Sequence, residues 1–175
     1  MLLNAAARAL ESAKTKTEAF WWDWLSTILY CSLSIEAIGN TYGETFIPQW
    51  KHFETASPLA KIRLVAERCG LQPDFSQHPW AIVSELTRFR NAIAHAKLED
   101  IEVDEVYPKE DYEKYLYNKP ESKLEKMVTE RFAQQAYDNI YEILRLFSTG
   151  LPIDLLVQLE TEWWHGGAEP ATNVA

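Results

Sequence analysis

Cysteine is almost absent: Cys31 and Cys69 are the only two in 175 residues, each inside an apolar, helix-like stretch. That excludes a disulfide-stapled scaffold and points to buried thiols in a reducing compartment. Glycine is sparse too. The six are scattered at helix ends and toward the C-terminus, so no glycine-rich phosphate loop is present. The four histidines, His52, His78, His95 and His165, stand far apart, and none pairs with a cysteine at zinc spacing. Neither HExxH nor GxSxG occurs. No metal and no cofactor is expected.

Signals for export and for a membrane are also missing. Met1-Leu2-Leu3-Asn4-Ala5 lacks the basic start and long apolar run of a signal peptide. Ala19 to Ile38 is long and mostly apolar, but it contains Asp23 and Glu36. Two carboxylates in one span are costly in hydrocarbon, so this stretch reads as a central bundle helix. A cytoplasmic protein without membrane contact is expected.

What the chain does have is a globular composition. Hydrophobic residues make up 47% and charged residues 25%, and seven Trp, eight Tyr and seven Phe offer large surfaces to bury. The length suits one domain with one core. The net charge of −9 argues against a broad electrostatic grip on nucleic acid. Its distribution is uneven, however. Between Glu99 and Glu113 eight acidic residues face Lys109 alone, which accounts for −7 and leaves −2 for the rest. Lys61, Arg63, Arg68, Arg88, Arg90 and Lys97 fall in two neighbouring helical segments, so a local basic patch is expected.

Periodicity is helical nearly throughout. A first helix is expected over Leu2 to Ala13. A second runs from Thr17 to Asn40, with Trp21, Trp24, Ile28, Cys31, Ile35 and Ile38 on one face and Gly39 and Gly43 at its end. The tryptophans of Trp21-Trp22-Trp24 and Trp163-Trp164 are read as core. Ser57-Pro58 caps a helix that carries Leu59, Ile62, Ala66 and Cys69 and stops at Gly70. Pro79 opens another, striped by Ile82, Val83, Leu86, Phe89 and Ile93. The acidic segment is a long connection, with a short extended piece at Ile101, Val103 and Val106. Ser122-Lys123-Leu124-Glu125 matches a capping box and starts a single helix reaching Phe147. A last amphipathic piece follows Pro152, with Leu155, Leu156, Leu159 and Trp163 inward. The predicted fold class is all-α, an up-and-down helical bundle in one domain over 1–166, with a disordered tail over 167–175.

One segment stands apart from this regular pattern: Arg88-Phe89-Arg90-Asn91-Ala92-Ile93-Ala94-His95. On a helix the core stripe through Leu86, Phe89 and Ile93 leaves Asn91 and His95 together on the far side, one turn apart. Arg90 lies at the border, about 140° from His95 on an ideal helix. Ala92, Ala94 and Ala96 are small, so a second copy of the helix could approach this polar face closely. A second polar row, Ser32, Glu36 and Asn40, each four apart, interrupts the otherwise apolar second helix.

The Arg-Asn-x-x-x-His pattern of Arg90, Asn91 and His95 near the end of a bundle helix resembles the signature of HEPN domains (higher eukaryotes and prokaryotes nucleotide-binding). The resemblance extends over Thr17 to Phe147. It includes the aromatic-rich helix with Ser34-Ile35-Glu36, the proline-capped helix before Gly70, and the approach Glu85-Leu86-Thr87-Arg88-Phe89. It implies a HEPN-like bundle and a metal-independent endoribonuclease of the toxin–antitoxin or phage-defence kind, with RNA as substrate and an antitoxin protein as a candidate partner. The resemblance further implies a homodimer whose two motifs face one cleft. Carried over, Arg90 and His95 become the catalytic pair and Asn91 the residue that orients them. Glu36 matches a polar residue that the family often turns toward the cleft.

The chemistry implied is coherent. RNA carries its own nucleophile, the 2′-hydroxyl, so the protein need only move protons and stabilise charge. A histidine, which ordinarily titrates near neutrality, suits the first task. An arginine suits the second, gripping a phosphate bidentately. The alternative is a non-catalytic HEPN-like module that binds nucleotides or a protein partner. The acidic segment admits a further expectation, that it lies near the cleft as an RNA mimic; an ordinary solvated loop is the plainer one.

Overall fold

Apolar residues recurring every three or four positions bury one stripe of each long helix and leave the opposite stripe to solvent. The computed structural model describes residues 1–95, 100, 108 and 121–149. Its elements are α1 (Leu2–Thr15), α2 (Phe20–Phe46), a 3-10 turn (Trp50–His52), α3 (Pro58–Arg68), α4 (Ala81–Ala94), α5 (Lys123–Met127) and α6 (Glu130–Ser148). No strand occurs among the described residues. The all-α class is as expected. The extended piece at 101–106, the acidic connection apart from Asp100 and Pro108, Lys97, Trp163-Trp164, the helix after Pro152 and the tail all lie outside the described residues.

The core forms around α2, against which α1, α3, α4 and α6 all pack. Leu3, Ala6 and Leu10 of α1 and Ile28, Cys31, Ile35 and Ile38 of α2 belong to this one core, and the Thr27 hydroxyl lies 3.4 Å from the Ala6 carbonyl. Ile82, Val83, Leu86 and Phe89 of α4 and Ala136, Ile140, Ile143 and Phe147 of α6 close the other sides. Fully burying each large aliphatic or aromatic side chain stabilises the fold by roughly 1.5–3 kcal/mol.

Local capping chemistry sets several boundaries. The Ser57 hydroxyl accepts the Ala60 N–H at 3.3 Å, with Pro58 as the first residue of α3. Gly70, at φ +75°, takes the left-handed turn beyond that helix. The Ser122–Glu125 capping box is present in both directions, at 3.1 and 2.7 Å.

Three expectations fail. The single helix from Leu124 to Phe147 is two: Val128 and Thr129 leave the helical region, and the Thr129 hydroxyl caps α6 by accepting the Phe132 N–H at 3.1 Å. A β-branched threonine is better placed at a cap than inside a helix, and Val128 fills the core from the break. The second failure concerns α2, which continues through Gly39 and Gly43 to Phe46. These glycines serve packing, not termination. A Cβ on Gly39 would lie 3.0 Å from the Lys61 Cβ, and one on Gly43 would run into the Trp50 indole. The helix ends where Ile47 adopts the extended backbone that a following Pro48 favours.

The third failure concerns topology. Gly39 meets Lys61, and seven residues further along both helices the Arg68 Nε donates to the Phe46 carbonyl at 3.2 Å. Thus α2 and α3 run in the same sense where they touch, and residues 47–57 carry the chain back. Strict up-and-down order does not hold at this step.

The tryptophan cluster divides. Trp21 and Trp24 pack against the core, whereas Trp22 is 64% exposed with its ring set edge-on to Trp21. Consecutive helical residues differ by about 100°, so three such neighbours cannot share one face. Among the described residues no helix is long and apolar enough to cross a membrane.

Both cysteines are free. Burial pushes the Cys31 thiol up to about 12 and raises that of the half-buried Cys69 as well. Since the thiolate is the nucleophile, Cys31 should resist iodoacetamide in the folded protein at pH 8 and react only after denaturation. Rapid modification of native protein at Cys31, read by peptide mass spectrometry, would show that this core opens readily.

Candidate functional site

The site residues come from three helices that meet beside the middle of α2. Ser32, Glu36 and Asn40 lie along one flank of α2, four apart, and the structure turns this row toward α3 and α4. The Ser32 hydroxyl donates to the Ile28 carbonyl at 2.7 Å and approaches the Leu86 carbonyl of α4 at 3.5 Å. One turn on, Glu36 Oε2 lies 3.5 Å from Arg90 Nη2. Its other oxygen, Oε1, lies 3.4 Å from Lys61 Nζ of α3. One more turn on, Asn40 Oδ1 accepts from Lys61 Nζ at 2.9 Å.

Two of the four residues singled out from the sequence are therefore brought together, Glu36 and Arg90. Their contact is loose, since charge-assisted N–H···O pairs close to about 2.7–2.9 Å when well formed. The Arg90 side chain is 40% exposed. It sits at the border between the buried stripe of α4, through Leu86 and Phe89, and the solvent side, as the helical spacing predicts.

Asn91 and His95 are exposed on that solvent side. His95 follows the last turn of α4, with its backbone N–H donating to the Asn91 carbonyl at 3.0 Å. Among the described residues no hydrogen bond joins the Asn91 amide to the His95 ring, so within one chain Asn91 does not hold the imidazole. Both residues are exposed, where water competes for their polar groups.

Lys61 is the member that sequence reasoning missed. The sequence places it in a surface basic patch, yet its side chain is only 1% exposed. The signal lies in its place on the helix: Lys61 and Val65 are one turn apart, beside Ile62 and Ala66, on the face that enters the core. The rest of the expected patch is dispersed among structural contacts. Arg63 lies over the Phe75 ring at 5.0 Å and Arg68 holds the Phe46 carbonyl; both are exposed, as is Arg88.

Electrostatically the cluster is two cations and one carboxylate, positive on balance within an acidic chain. Such a unit can receive a phosphate, and a histidine at the end of the same helix can exchange protons with a ligand held there. Among the described residues no group of three His, Cys, Asp or Glu side chains could hold a metal ion. Comparison with protein-family models, with curated proteins and with solved structures finds no match for this chain.

Proposed function

We propose that the chain is a metal-independent endoribonuclease of the HEPN type, of the kind used in toxin–antitoxin and phage-defence systems, working as a homodimer. The observation that carries this is the arrangement at the end of α4. Glu36 from a neighbouring helix stands 3.5 Å from Arg90 while Asn91 and His95 are exposed on the adjoining surface. One His95 takes the proton of an RNA 2′-hydroxyl, and that oxygen attacks the adjacent phosphorus. The bond to the 5′-oxygen breaks as this oxygen receives a proton from His95 of the partner subunit. Arg90 offsets the charge gathering on the phosphoryl oxygens. The products are a 2′,3′-cyclic phosphate and a 5′-hydroxyl.

A surface feature supports the second copy. On α2, exposed Trp22 and Leu33 (64% and 43%) lie on one stripe that leads to Glu36, and between them stand Ser26 and Leu29, the latter partly packed against the core. We read these exposed apolar side chains as the contact surface for the second copy. With half-exposed Arg90 at its end, a two-fold axis through this face brings the Arg90 side chains of both copies to one groove.

The test is to place a charge in the stripe. Leu33→Arg should convert the dimer to a folded monomer in sedimentation velocity, and RNA cleavage in excess chelator should disappear with it. A Leu33→Arg monomer that cleaves as well as wild type would contradict a shared groove. The alternative, a non-catalytic nucleotide-binding or protein-interaction module, draws on the absence of an Asn91–His95 bond within one chain. It predicts stabilisation by a nucleotide or partner in a thermal shift experiment with no cleavage.

A further inference from the structure

We infer that Lys61, a buried lysine on α3 outside the Arg90–His95 motif, is a positioning residue that keeps the Arg90 guanidinium open to a phosphodiester. This rests on Arg90 being the phosphate-binding group of the proposed nuclease.

A buried ammonium must keep a counter-charge and hydrogen-bond acceptors close by. Lys61 lies against Gly39, where the lack of a side chain admits its stem. From there Nζ reaches Asn40 Oδ1 at 2.9 Å and Glu36 Oε1 at 3.4 Å. Glu36 is thus tethered from inside the fold by one oxygen. Only the other faces Arg90, and at 3.5 Å it engages a single Nη2. A guanidinium has five N–H donors in a planar fork, so most of that fork stays available.

Charge leads to the same result. Lys61 and Arg90 together outweigh Glu36, and Lys61 is sealed from solvent, so the surplus positive charge is presented at half-exposed Arg90. Without the Lys61 ammonium, Glu36 would be free to close on Arg90 through both oxygens, in the bidentate geometry that carboxylate and guanidinium prefer. That closure would occupy the fork and neutralise it, displacing a phosphate from its donors.

The test reads binding without cleavage, using a fluorescent 2′-O-methyl RNA oligonucleotide that has no free 2′-hydroxyl. Fluorescence anisotropy at low salt compares full-length wild type with Lys61→Met, whose unbranched side chain still covers Gly39, and with Glu36→Gln. Lys61→Met should weaken binding by about tenfold, the scale of a charge-assisted contact. Glu36→Gln should tighten it severalfold by releasing both cations. These opposite signs mark an electrostatic role, because general damage to the fold would weaken both variants. Should Lys61→Met not melt cooperatively, Lys61→Gln, uncharged but able to bond Asn40, takes its place with the same expectation. Binding by the Lys61 variant within about twofold of wild type, equal weakening of both variants, or wild-type binding that is indifferent to Arg90→Ala would overturn the inference. Cleavage of ordinary RNA is measured alongside. If cleavage is absent while this binding pattern holds, the nuclease assignment fails and the role of Lys61 stands. If RNA is cleaved but the binding pattern is missing, the nuclease assignment stands and the role of Lys61 fails.

Discussion

Replacing His95 by alanine is expected to slow RNA cleavage by roughly 10²- to 10⁴-fold, the range associated with loss of a general acid–base group. The same substitution should shift the melting temperature by no more than about 2 °C, as befits an exposed residue. Both halves of that expectation follow from position. His95 lies beyond the last turn of α4 with its side chain in solvent, and what it gives the fold is a backbone N–H to the Asn91 carbonyl, which alanine retains. A loss of rate without a loss of stability would therefore belong to chemistry. Arg90→Ala should reduce the rate as strongly, and Arg90→Lys should restore only part of it, because a point charge cannot reproduce a planar fork. Cleavage by His95→Ala at the wild-type rate would remove the histidine from the mechanism.

The largest effect on stability is expected at Phe147. Its ring is fully buried, with centroids 5.1 Å from Tyr42 of α2 and 5.8 Å from Trp80, the residue that precedes α4. These three rings join the end of α6 to the body of α2 and to the start of the helix that carries Arg90. Phe147→Ala removes both aromatic contacts and leaves a cavity where the backbones are already fixed, a change that costs roughly 3–5 kcal/mol. Against a total stability of about 5–15 kcal/mol for a domain, that is a large fraction. Urea denaturation followed by circular dichroism measures it as a lower midpoint at unchanged slope. A loss below about 1 kcal/mol would mean that the site collapses and that the three rings do not act as a unit.

How much of this is legible in the chain depends on how far each cause lies from its effect. The Ser57-Pro58 start, the Gly70 stop and the Ser122–Glu125 box can be read because every partner is within four residues. The buried stripes of α1, α4 and α6 are equally plain, since periodicity is local. Gly39 and Gly43 pass for terminators because the groups that require them, Lys61 and Trp50, arrive from the loop and helix that follow. The break at Val128 and Thr129 is hidden under an apolar period that runs through it, although a threonine three residues before Phe132 is the available cue. At the candidate site, Arg90, Asn91 and His95 are singled out by the resemblance of their pattern to a known signature, and Glu36 by the polar row it forms in an apolar helix. Lys61 is not, because charge in a sequence is read as surface unless its helical phase is checked against the core.

If two copies of Arg90 and His95 cleave RNA with no metal, the ends of the product will show it. Wild-type protein incubated with a defined RNA in excess chelator should yield a 2′,3′-cyclic phosphate on one fragment and a 5′-hydroxyl on the other, resolved by mass spectrometry. Intact RNA after incubation with folded, dimeric protein, or fragments with a 5′-phosphate that form only when a divalent cation is restored, would contradict it.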